Sequence, residues 1–143
     1  MAKASAGNVR PQIHLLATES DLVADLALQV EHRQPVVAAM LLGEIERAEL
    51  HDSDTLPGDA VGLGSDIEFV DEKTSQLRKV QLVMPGLANI AEGRISILTP
   101  MGAALYGLRA GDSIDWPDLD GHERRIRIVR VRQQSKESGN AVN

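Results

Sequence analysis

The stretch "ILTPMGAALYGLRAGDSIDW", residues 97–116, places one short apolar segment between two strand-like ends. Thr99 is a suitable helix cap, and Pro100 suits the first helical position. Gly107 can end the helix in a left-handed conformation, with Leu108 folded back against it. Because a helix of about two turns is unstable alone, it must pack on other elements. The side chains predicted to pack against a sheet are Met101, Ala103, Ala104, Leu105 and Leu108.

The chain after residue 63 has the two-residue hydrophobic period that is typical of strands. The candidate strands are "SDIEFVDE", "LRKVQLVM", "GRISIL", "DSIDW" and "HERRIRIVRVR". In the last of these, Ile126, Ile128 and Val131 share one face only if the strand bulges near Val129. We therefore predict an α+β fold in which a small antiparallel sheet of about five strands wraps around one short helix.

The first part of the chain predicts a helix in "TESDLVADLALQVEHR". Thr18, with Asp21 three residues later, forms an approximate capping box. The apolar residues predicted to mark one face of this helix are Leu22, Val23, Leu26 and Val30. Their spacing of about four residues is the helical period.

A second helix is predicted in "QPVVAAMLLGEIERAEL", with Pro35 at its first position. Its predicted apolar stripe is Val37, Leu41, Ile45 and Ala48. The short connection makes the two helices antiparallel neighbours. The product is a helical hairpin over residues 13–51. Its tip consists of Glu31, His32, Arg33 and Gln34.

Composition and charge exclude several classes of partner. The formal net charge is −6, and residues 1–121 carry nineteen acidic and nine basic side chains. This balance disfavours nucleic acid as the main partner, because a duplex-binding protein needs many Lys and Arg residues to neutralise phosphates. No direct sequence-specific contact with nucleic acid is expected. The longest apolar runs fall well short of the ~18 residues of a membrane span. The chain has no cysteine, which fits a reducing compartment.

The motif in residues 97–116 resembles the C-terminal signature of the transcript-cleavage (Gre) factor family. In that signature a Ser-Pro precedes a small-residue and leucine-rich turn and then Gly-Asp. The version "PMGAALYGLRAGDSI" is most similar to the regulators of nucleoside diphosphate kinase, a branch related to the Gre factors. The "LPGDAV" segment and the "LVMP" that ends at Pro85 fit the same pattern. The resemblance covers residues 13–132.

The resemblance implies an FKBP-like C-terminal domain over residues 64–133, joined by a linker at 52–63 to a short antiparallel coiled coil. Residues 1–12 and 134–143 are expected to be a disordered leader and tail. The resemblance further implies a bacterial cytoplasmic regulator that binds RNA polymerase, and we expect it to be a monomer. Its C-terminal domain would dock at the rim of the secondary channel while the hairpin points inward.

Carried over residue by residue, the docking turn of the family corresponds to Thr99 and Pro100, with Met101 beside them. Where the family often has an acid before the Ser-Pro, this chain has Leu98. Replacing Thr99 and Pro100 together by alanine is expected to weaken binding to polymerase and to leave the thermal midpoint nearly unchanged.

Cleavage factors place two carboxylates at the hairpin tip to help hold a catalytic Mg²⁺, whereas this tip has one acid, Glu31, beside Arg33. We therefore predict no cleavage activity, no catalytic residue and no cofactor. The four histidines are His14, His32, His51 and His122. Their local spacing matches no metal motif, so no metal site is predicted, and "HDSD" at 51–54 is interpreted as a turn.

Two other functions are considered. The FKBP-like fold makes a peptidyl-prolyl isomerase the main enzyme alternative, but such pockets are built from clustered aromatic rings. With only Phe69, Tyr106 and Trp116, that cluster cannot be assembled, and Trp116 is expected in the core. A generic protein-binding module is the other alternative.

Two charged surfaces have both a functional and a simpler interpretation. Residues 16–59 hold ten acids and two arginines, which form either a solubilising face or a match to a basic channel. The last strand carries a row of arginines: Arg124, Arg125, Arg127, Arg130 and Arg132. This row is either balanced by local acids, including Asp118 and Asp120, or contacts a polymerase surface or RNA.

Overall fold

The structure is α+β, as predicted. The computed structural model describes residues 11–117 and 123–133, without the side chains of Trp116, Pro117 and Glu123. In chain order the elements are β1 (His14–Leu16), α1 (Ala17–Val30), α2 (Pro35–Arg47), β2 (Glu49–His51), β3 (Asp66–Asp71), β4 (Gln76–Val83), β5 (Arg94–Ser96), α3 (Pro100–Leu105), β6 (Ser113–Pro117) and β7 (Glu123–Arg132). Short 3-10 helices lie at Pro85–Leu87 and Ile90–Glu92.

The predicted leader and tail fall almost entirely outside the described residues. Of the leader, Pro11 and Gln12 are described, and both bond to the end of α2. The Pro11 carbonyl accepts a hydrogen bond from Arg47 Nη1 at 2.8 Å, and the Gln12 amide donates one to the Arg47 carbonyl at 3.3 Å. Across the described ranges, every helix is too short or too polar to cross a membrane.

The helical hairpin is present, with its turn at residues 31–34 and Pro35 at the first position of α2. The predicted capping box at Thr18 is wrong. Because β1 runs directly into α1, Leu16 becomes the N-cap with an extended backbone, and it makes no side-chain capping bond. The helix therefore starts at Ala17, one residue before the predicted cap.

The predicted apolar face of α1 is correct except at Leu22, because Val23 and Val30 are buried and Leu26 packs against the core. Leu22 is 61% exposed, and the buried residues are Ser20, Val23, Ala27 and Val30. On α2 the predicted stripe is largely correct, because Val37 and Leu41 are buried and Ile45 and Ala48 pack against the core. Ala27 and Ala38 are fully buried in the same core. Their small side chains allow the backbones of the two helices to approach each other.

A two-stranded parallel sheet, which no local sequence pattern indicated, closes the base of the hairpin. β1 precedes α1, β2 follows α2, and the pairs are His14 with Glu49, Leu15 with Leu50 and Leu16 with His51. The pairing brings together the two ends of the hairpin, residues that are 35 positions apart in the chain.

The main sheet has five strands in the order β5-β4-β3-β7-β6. The prediction of an antiparallel sheet is wrong at one edge, because β5 pairs with β4 in parallel. The connection through the two 3-10 helices carries the chain back before β5 begins, so β5 runs in the same direction as β4. The predicted bulge is confirmed. Glu68 pairs with Arg130 and Phe69 pairs with Ile128, which leaves Val129 as the extra residue.

One continuous hydrophobic core joins the hairpin, α3 and the main sheet. It includes Val23 and Leu41 from the hairpin, Leu105 from α3, and Ile67 and Ile128 from the sheet. Helix α3 therefore packs against both the hairpin and the main sheet, and these contacts stabilise a helix that is too short to be stable alone. The boundaries proposed for the hairpin, linker and C-terminal domain stay predictions.

Candidate functional site

The turn before α3 is braced by two hydroxyl side chains. Ser96 Oγ accepts a hydrogen bond from the Leu98 N–H at 2.9 Å. Thr99 Oγ1 donates to the Ser96 carbonyl at 2.8 Å and accepts from the Gly102 N–H at 3.0 Å. Thr99 is thus the N-cap of α3, with Pro100 at the first helical position, as predicted. The Thr99 hydroxyl is occupied within the turn.

The surface of this turn is apolar. Pro100 is exposed, Met101 is half-buried, and Thr99 is half-buried with its hydroxyl directed to the backbone. Leu98, at the position where the family resemblance leads one to expect an acid, is 9% exposed and belongs to the core. The part of this edge that remains available for a partner is therefore provided by Pro100 and Met101. We name these two residues, together with Thr99, the α3 edge.

Gly102 allows α3 to lie directly on the chain that precedes it. A Cβ atom at this position would overlap the carbonyl oxygen of Ser96, which is backbone and cannot rotate away. The local sequence does not single out this glycine. Its requirement depends on the path of residues 96–99 over the start of α3, which no local pattern specifies.

The other end of α3 connects three segments of the chain. Gly107 has φ +84°, as predicted for a left-handed position, and its carbonyl accepts from the His14 N–H at 3.0 Å. Its own N–H donates to the Val61 carbonyl at 2.9 Å. A side chain at Gly107 would collide with Ile13 and Leu15. The segment that begins at residue 97 therefore links β1, the linker and the sheet.

The turn between α1 and α2 lies at residues 31–34, the tip that the sequence predicted. The N–H groups of Arg33 and Gln34 both donate to the Val30 carbonyl, at 2.9 and 2.8 Å, which makes a tight turn. Glu31, His32 and Arg33 are exposed. Glu31 is the one carboxylate of the four tip residues. In the described part of the chain, the tip contributes to no cluster of three potential metal ligands.

Beneath the surface, Glu19 of α1 reaches the linker, a contact that the sequence pattern does not foretell. Both of its carboxylate oxygens accept from the Leu63 N–H at 3.3 Å. Burial raises the pKa of Glu19 above its ordinary value, although the Leu63 hydrogen bond opposes the rise. Burial and the Glu19 charge raise the pKa of Tyr106 far above the usual value of a phenol. Among described residues, the Tyr106 hydroxyl has no partner at full hydrogen-bond geometry.

Two of the three aromatic side chains are in the core, since Tyr106 is 0% and Phe69 is 5% exposed. The side chain of Trp116, predicted in the core, lies outside the described part of the structure. The two described rings therefore form no open aromatic pocket of the kind that a prolyl isomerase requires.

The arginine row on β7 lies beside acids of the neighbouring strands. The ion pairs are Arg124 with Asp71 at 3.2 Å, Arg125 with Asp115 at 2.8 Å and Glu72 at 3.6 Å, Arg127 with Glu72 at 3.1 Å, and Arg130 with Glu68 at 3.9 Å. Asp118 and Asp120, which were expected to contribute, lie outside the described residues. The interpretation of the row as a locally balanced sheet face is thereby favoured.

Two of the four histidines, His14 and His51, come together across the β1–β2 pair, with Glu49 beside them. Local spacing along the sequence cannot detect residues 37 positions apart. At the neighbouring turn, Asp52 Oδ1 accepts from the N–H groups of Asp54 and Thr55 at 2.9 and 3.1 Å. The interpretation of residues 51–54 as a turn is therefore correct for Asp52 and incomplete for His51.

Comparisons with known proteins agree with this fold and motif. The family model for the C-terminal part of the transcription elongation factors GreA and GreB matches residues 56–133. The chain is 28% identical to the regulator of nucleoside diphosphate kinase of Escherichia coli K12 over 130 residues, which cover 91% of this chain and 96% of that protein. It is 34% identical to the transcription elongation factor GreA of Mesorhizobium japonicum, covering 85% of this chain and 82% of the relative.

A solved structure described as a prokaryotic transcription elongation factor GreA/GreB from Nitrosomonas europaea is similar along most of the chain. The TM-score is 0.71 at 30% sequence identity, and the match covers 85% of this chain and 99% of the other. On the family match, the relatives and the shared fold together, this chain belongs to the GreA/GreB transcription elongation factor family.

Proposed function

We propose that this protein is a transcription regulator that binds RNA polymerase at the secondary channel and does not stimulate transcript cleavage. The observation that carries the proposal is the pairing of a family docking motif, held rigid at the α3 edge, with a hairpin tip that has a single carboxylate. The sheet would be the FKBP-like docking domain, and the hairpin would be a short coiled-coil arm. Such a regulator would act in the bacterial cytoplasm.

The proposed docking residues are Pro100 and Met101, with Thr99 holding them in place. A preorganised turn loses little conformational entropy when it binds. Thr99 supplies that preorganisation through its two hydrogen bonds, to Ser96 and Gly102. An exposed proline beside a half-buried methionine offers a small apolar contact of the kind found at the centres of protein interfaces.

The absence of cleavage activity is inferred from the chemistry of the tip. Mg²⁺ in such sites is bound by carboxylates together with substrate phosphates, and one carboxylate beside a cation is a weak ligand set. Glu31 is followed by His32 and Arg33, and both are exposed. The arm is also short, because helices of 14 and 13 residues extend about 20 Å. We infer that the protein occupies the channel mouth and competes with cleavage factors.

The test is a binding assay with purified core RNA polymerase and the full chain, repeated with excess GreA as competitor. We expect binding that the competitor reduces, and no increase in transcript cleavage in halted elongation complexes. Binding that the competitor leaves unchanged would contradict the shared site. Cleavage that appears with the parent protein and disappears in Glu31→Gln would contradict the non-catalytic assignment.

Matched variants locate the contact. Pro100→Ala with Met101→Ala should weaken polymerase binding, whereas Thr99→Ser, which keeps the capping hydroxyl, should bind normally. Leu77→Ala on β4 removes an apolar side chain that is 49% exposed and serves as the control away from the α3 edge. Equal loss of binding in the control and in the α3-edge variant would exclude the α3 edge as the docking surface.

The same purified protein can be used to test two alternative functions. A prolyl isomerase would accelerate proline turnover in a protease-coupled peptide assay, and we expect no acceleration. A generic protein-binding module would show no binding to polymerase at all. We expect the protein to be a monomer, which sedimentation of the free chain measures directly.

A further inference from the structure

The base of the hairpin brings three potential metal ligands to one point. β1 and β2 pair in parallel with His14 opposite Glu49 and Leu16 opposite His51. Because side chains alternate along a strand, Glu49 and His51 lie on the same face of β2, and His14 meets them from β1. One donor atom from each of the three side chains lies within 4.8 Å of the other two.

The distances between these atoms are close to those of ligands that share one ion. His14 Nδ1 lies 3.0 Å from His51 Nε2. The Glu49 carboxylate lies 3.6 Å from His14 Nδ1 and 3.8 Å from His51 Nε2. Ligands placed about 2.0–2.2 Å from a tetrahedral zinc ion are about 3.3 Å apart, so small side-chain rotations suffice to match that geometry.

The group also has the supporting contact that metal-binding histidines typically make. The second ring nitrogen of His51, Nδ1, is hydrogen-bonded to Thr55 Oγ1 at 3.0 Å. Such a partner orients the ring and leaves Nε2 as the nitrogen that faces the ligand position. Thr55 is itself fixed by the Asp52 turn, since its N–H donates to Asp52 Oδ1 at 3.1 Å.

Burial and access are favourable as well. The side chains of His14 and His51 are 16% and 10% exposed, whereas that of Glu49 is 57% exposed. The two imidazoles are therefore held by the fold, and the carboxylate side remains open to an ion that arrives from solvent. A site with three protein ligands leaves a fourth position for water or for a donor from another molecule.

An imidazole–imidazole hydrogen bond is the simpler explanation of the short nitrogen–nitrogen distance. It accounts for the two rings alone, whereas the Glu49 carboxylate also lies 3.6 and 3.8 Å from the two nitrogen atoms that face each other. We propose that His14, Glu49 and His51 bind one Zn²⁺ ion, which joins the strand before the hairpin to the strand after it. Two imidazoles and one carboxylate suit Zn²⁺, whereas Mg²⁺ prefers oxygen ligands.

Binding at this position would stabilise the base of the hairpin. An ion that binds the folded state and not the unfolded chain raises the free energy of unfolding according to its concentration and affinity. Because β1 leads directly into α1, the ion would also restrain the direction of the helix relative to β2. The metal would therefore act on the geometry of the arm, far along the chain from the tip residues.

The experiment uses the full chain, freed of metal by a chelator, and titrates it with Zn²⁺ alone by calorimetry. We expect saturation at one zinc per chain, a thermal midpoint that rises with zinc, and no response to Mg²⁺. His51→Ala should weaken binding at least about 100-fold, and Thr55→Val about 10-fold. His32→Ala, which removes an exposed histidine at the tip, is the matched control and should bind like the parent.

If His51→Ala does not fold, as judged by circular dichroism, Glu49→Gln provides the same test, because its side chain is more than half exposed. It should fold normally and bind zinc no more tightly than Thr55→Val, because it removes a ligand and not only a supporting contact. Failure of the parent chain to bind zinc would overturn the proposal. Zinc binding that Glu49→Gln and Thr55→Val leave unchanged, and that His32→Ala removes, would also overturn it.

Discussion

Thr99 caps helix α3 through Gly102, whose N–H donates a hydrogen bond to the Thr99 hydroxyl at 3.0 Å. The same hydroxyl donates to Ser96, so one side chain closes both sides of the turn. Replacing Thr99 by alanine is therefore expected to lower the thermal midpoint, contrary to the expectation from the sequence. Thr99 stabilises the turn, and Pro100 provides its exposed surface.

Thr99→Ala should lower the free energy of unfolding by about 1 kcal/mol, the usual cost of losing an N-cap. Thr99→Ser keeps the hydroxyl and should lose much less. Urea unfolding of both variants beside the parent measures the difference. Equal stability of the alanine and serine variants would show that the hydroxyl contributes nothing to the turn.

Gly102→Ala should destabilise the fold by about 2–3 kcal/mol, because the added Cβ overlaps the Ser96 carbonyl oxygen and the backbone must move. Gly43→Ala is the matched control. Gly43 lies on the exposed face of α2, and a Cβ added there would meet nothing within 4 Å. Its replacement by alanine should therefore raise the free energy of unfolding by up to about 1 kcal/mol, because alanine has the higher helix propensity. Thermal and urea unfolding of the two variants should change in opposite directions.

Glu19 should make stability fall as the pH rises. Its pKa in the folded protein is raised by burial, so the folded state binds more protons than the unfolded chain in the window above the ordinary glutamate pKa of about 4.3. The contribution is fully present below that value and is lost as the pH rises through the folded pKa. Glu19→Gln should remove this pH dependence. The free energy of unfolding of the variant should therefore rise relative to that of the parent towards neutral pH.

The measurement is urea unfolding of both proteins from pH 4 to pH 8. The glutamine can still accept from the Leu63 N–H through its amide oxygen, so this contact is kept when the charge is removed. Stability curves for parent and variant that stay parallel across this range would show that Glu19 ionises as easily in the folded protein as in the unfolded chain.

The arginine row should contribute little to polymerase binding. Arg125 and Arg127 share Glu72 as a partner on the exposed sheet face, and exposed ion pairs contribute about 0–1 kcal/mol. Arg125→Gln with Arg127→Gln should leave polymerase affinity unchanged and change stability by less than about 1 kcal/mol. A large loss of affinity in this double variant would assign the row to an acidic polymerase surface or to RNA.

The acidic hairpin should make polymerase association sensitive to salt. Asp21 and Asp25 are exposed on α1, and exposed charges are screened when the ionic strength rises. Asp21→Asn with Asp25→Asn should slow association at low salt and flatten its salt dependence. Glu92→Gln, which neutralises an exposed acid outside the hairpin, is the control. A parent protein whose association is already independent of salt would contradict electrostatic steering by the hairpin.

Local features of the sequence predicted a substantial part of the fold. Thr99, Pro100 and Gly107 are in the positions expected for a cap, a first helical residue and a left-handed glycine. The bulge at Val129 was predicted from the spacing of Ile128 and Val131 on β7. Residues three positions apart lie on the same face of a strand only if one extra residue is inserted between them. The hairpin turn followed from the interruption of two helical patterns.

Other features depended on pairing between distant segments. The three-residue strands β1 and β2 are too short to show a period, and their partners are set by the closure of the hairpin. The direction of β5 depended on the connection through the two 3-10 helices. On α1 the exposure of Leu22 beside the buried Val23 depended on what packs against the helix, which the helical period alone does not specify.

The sequence by itself determined the braced turn and the composition of the hairpin tip, because capping hydroxyls, proline, glycine and the number of carboxylates act locally. Only the tertiary structure decided that Glu19 is buried against Leu63, that Gly102 must lack a side chain, and that His14 meets His51. Each of these contacts joins atoms whose proximity depends on how the elements pack. The turn proposed for docking can therefore be predicted from the sequence, whereas the proposed zinc site cannot.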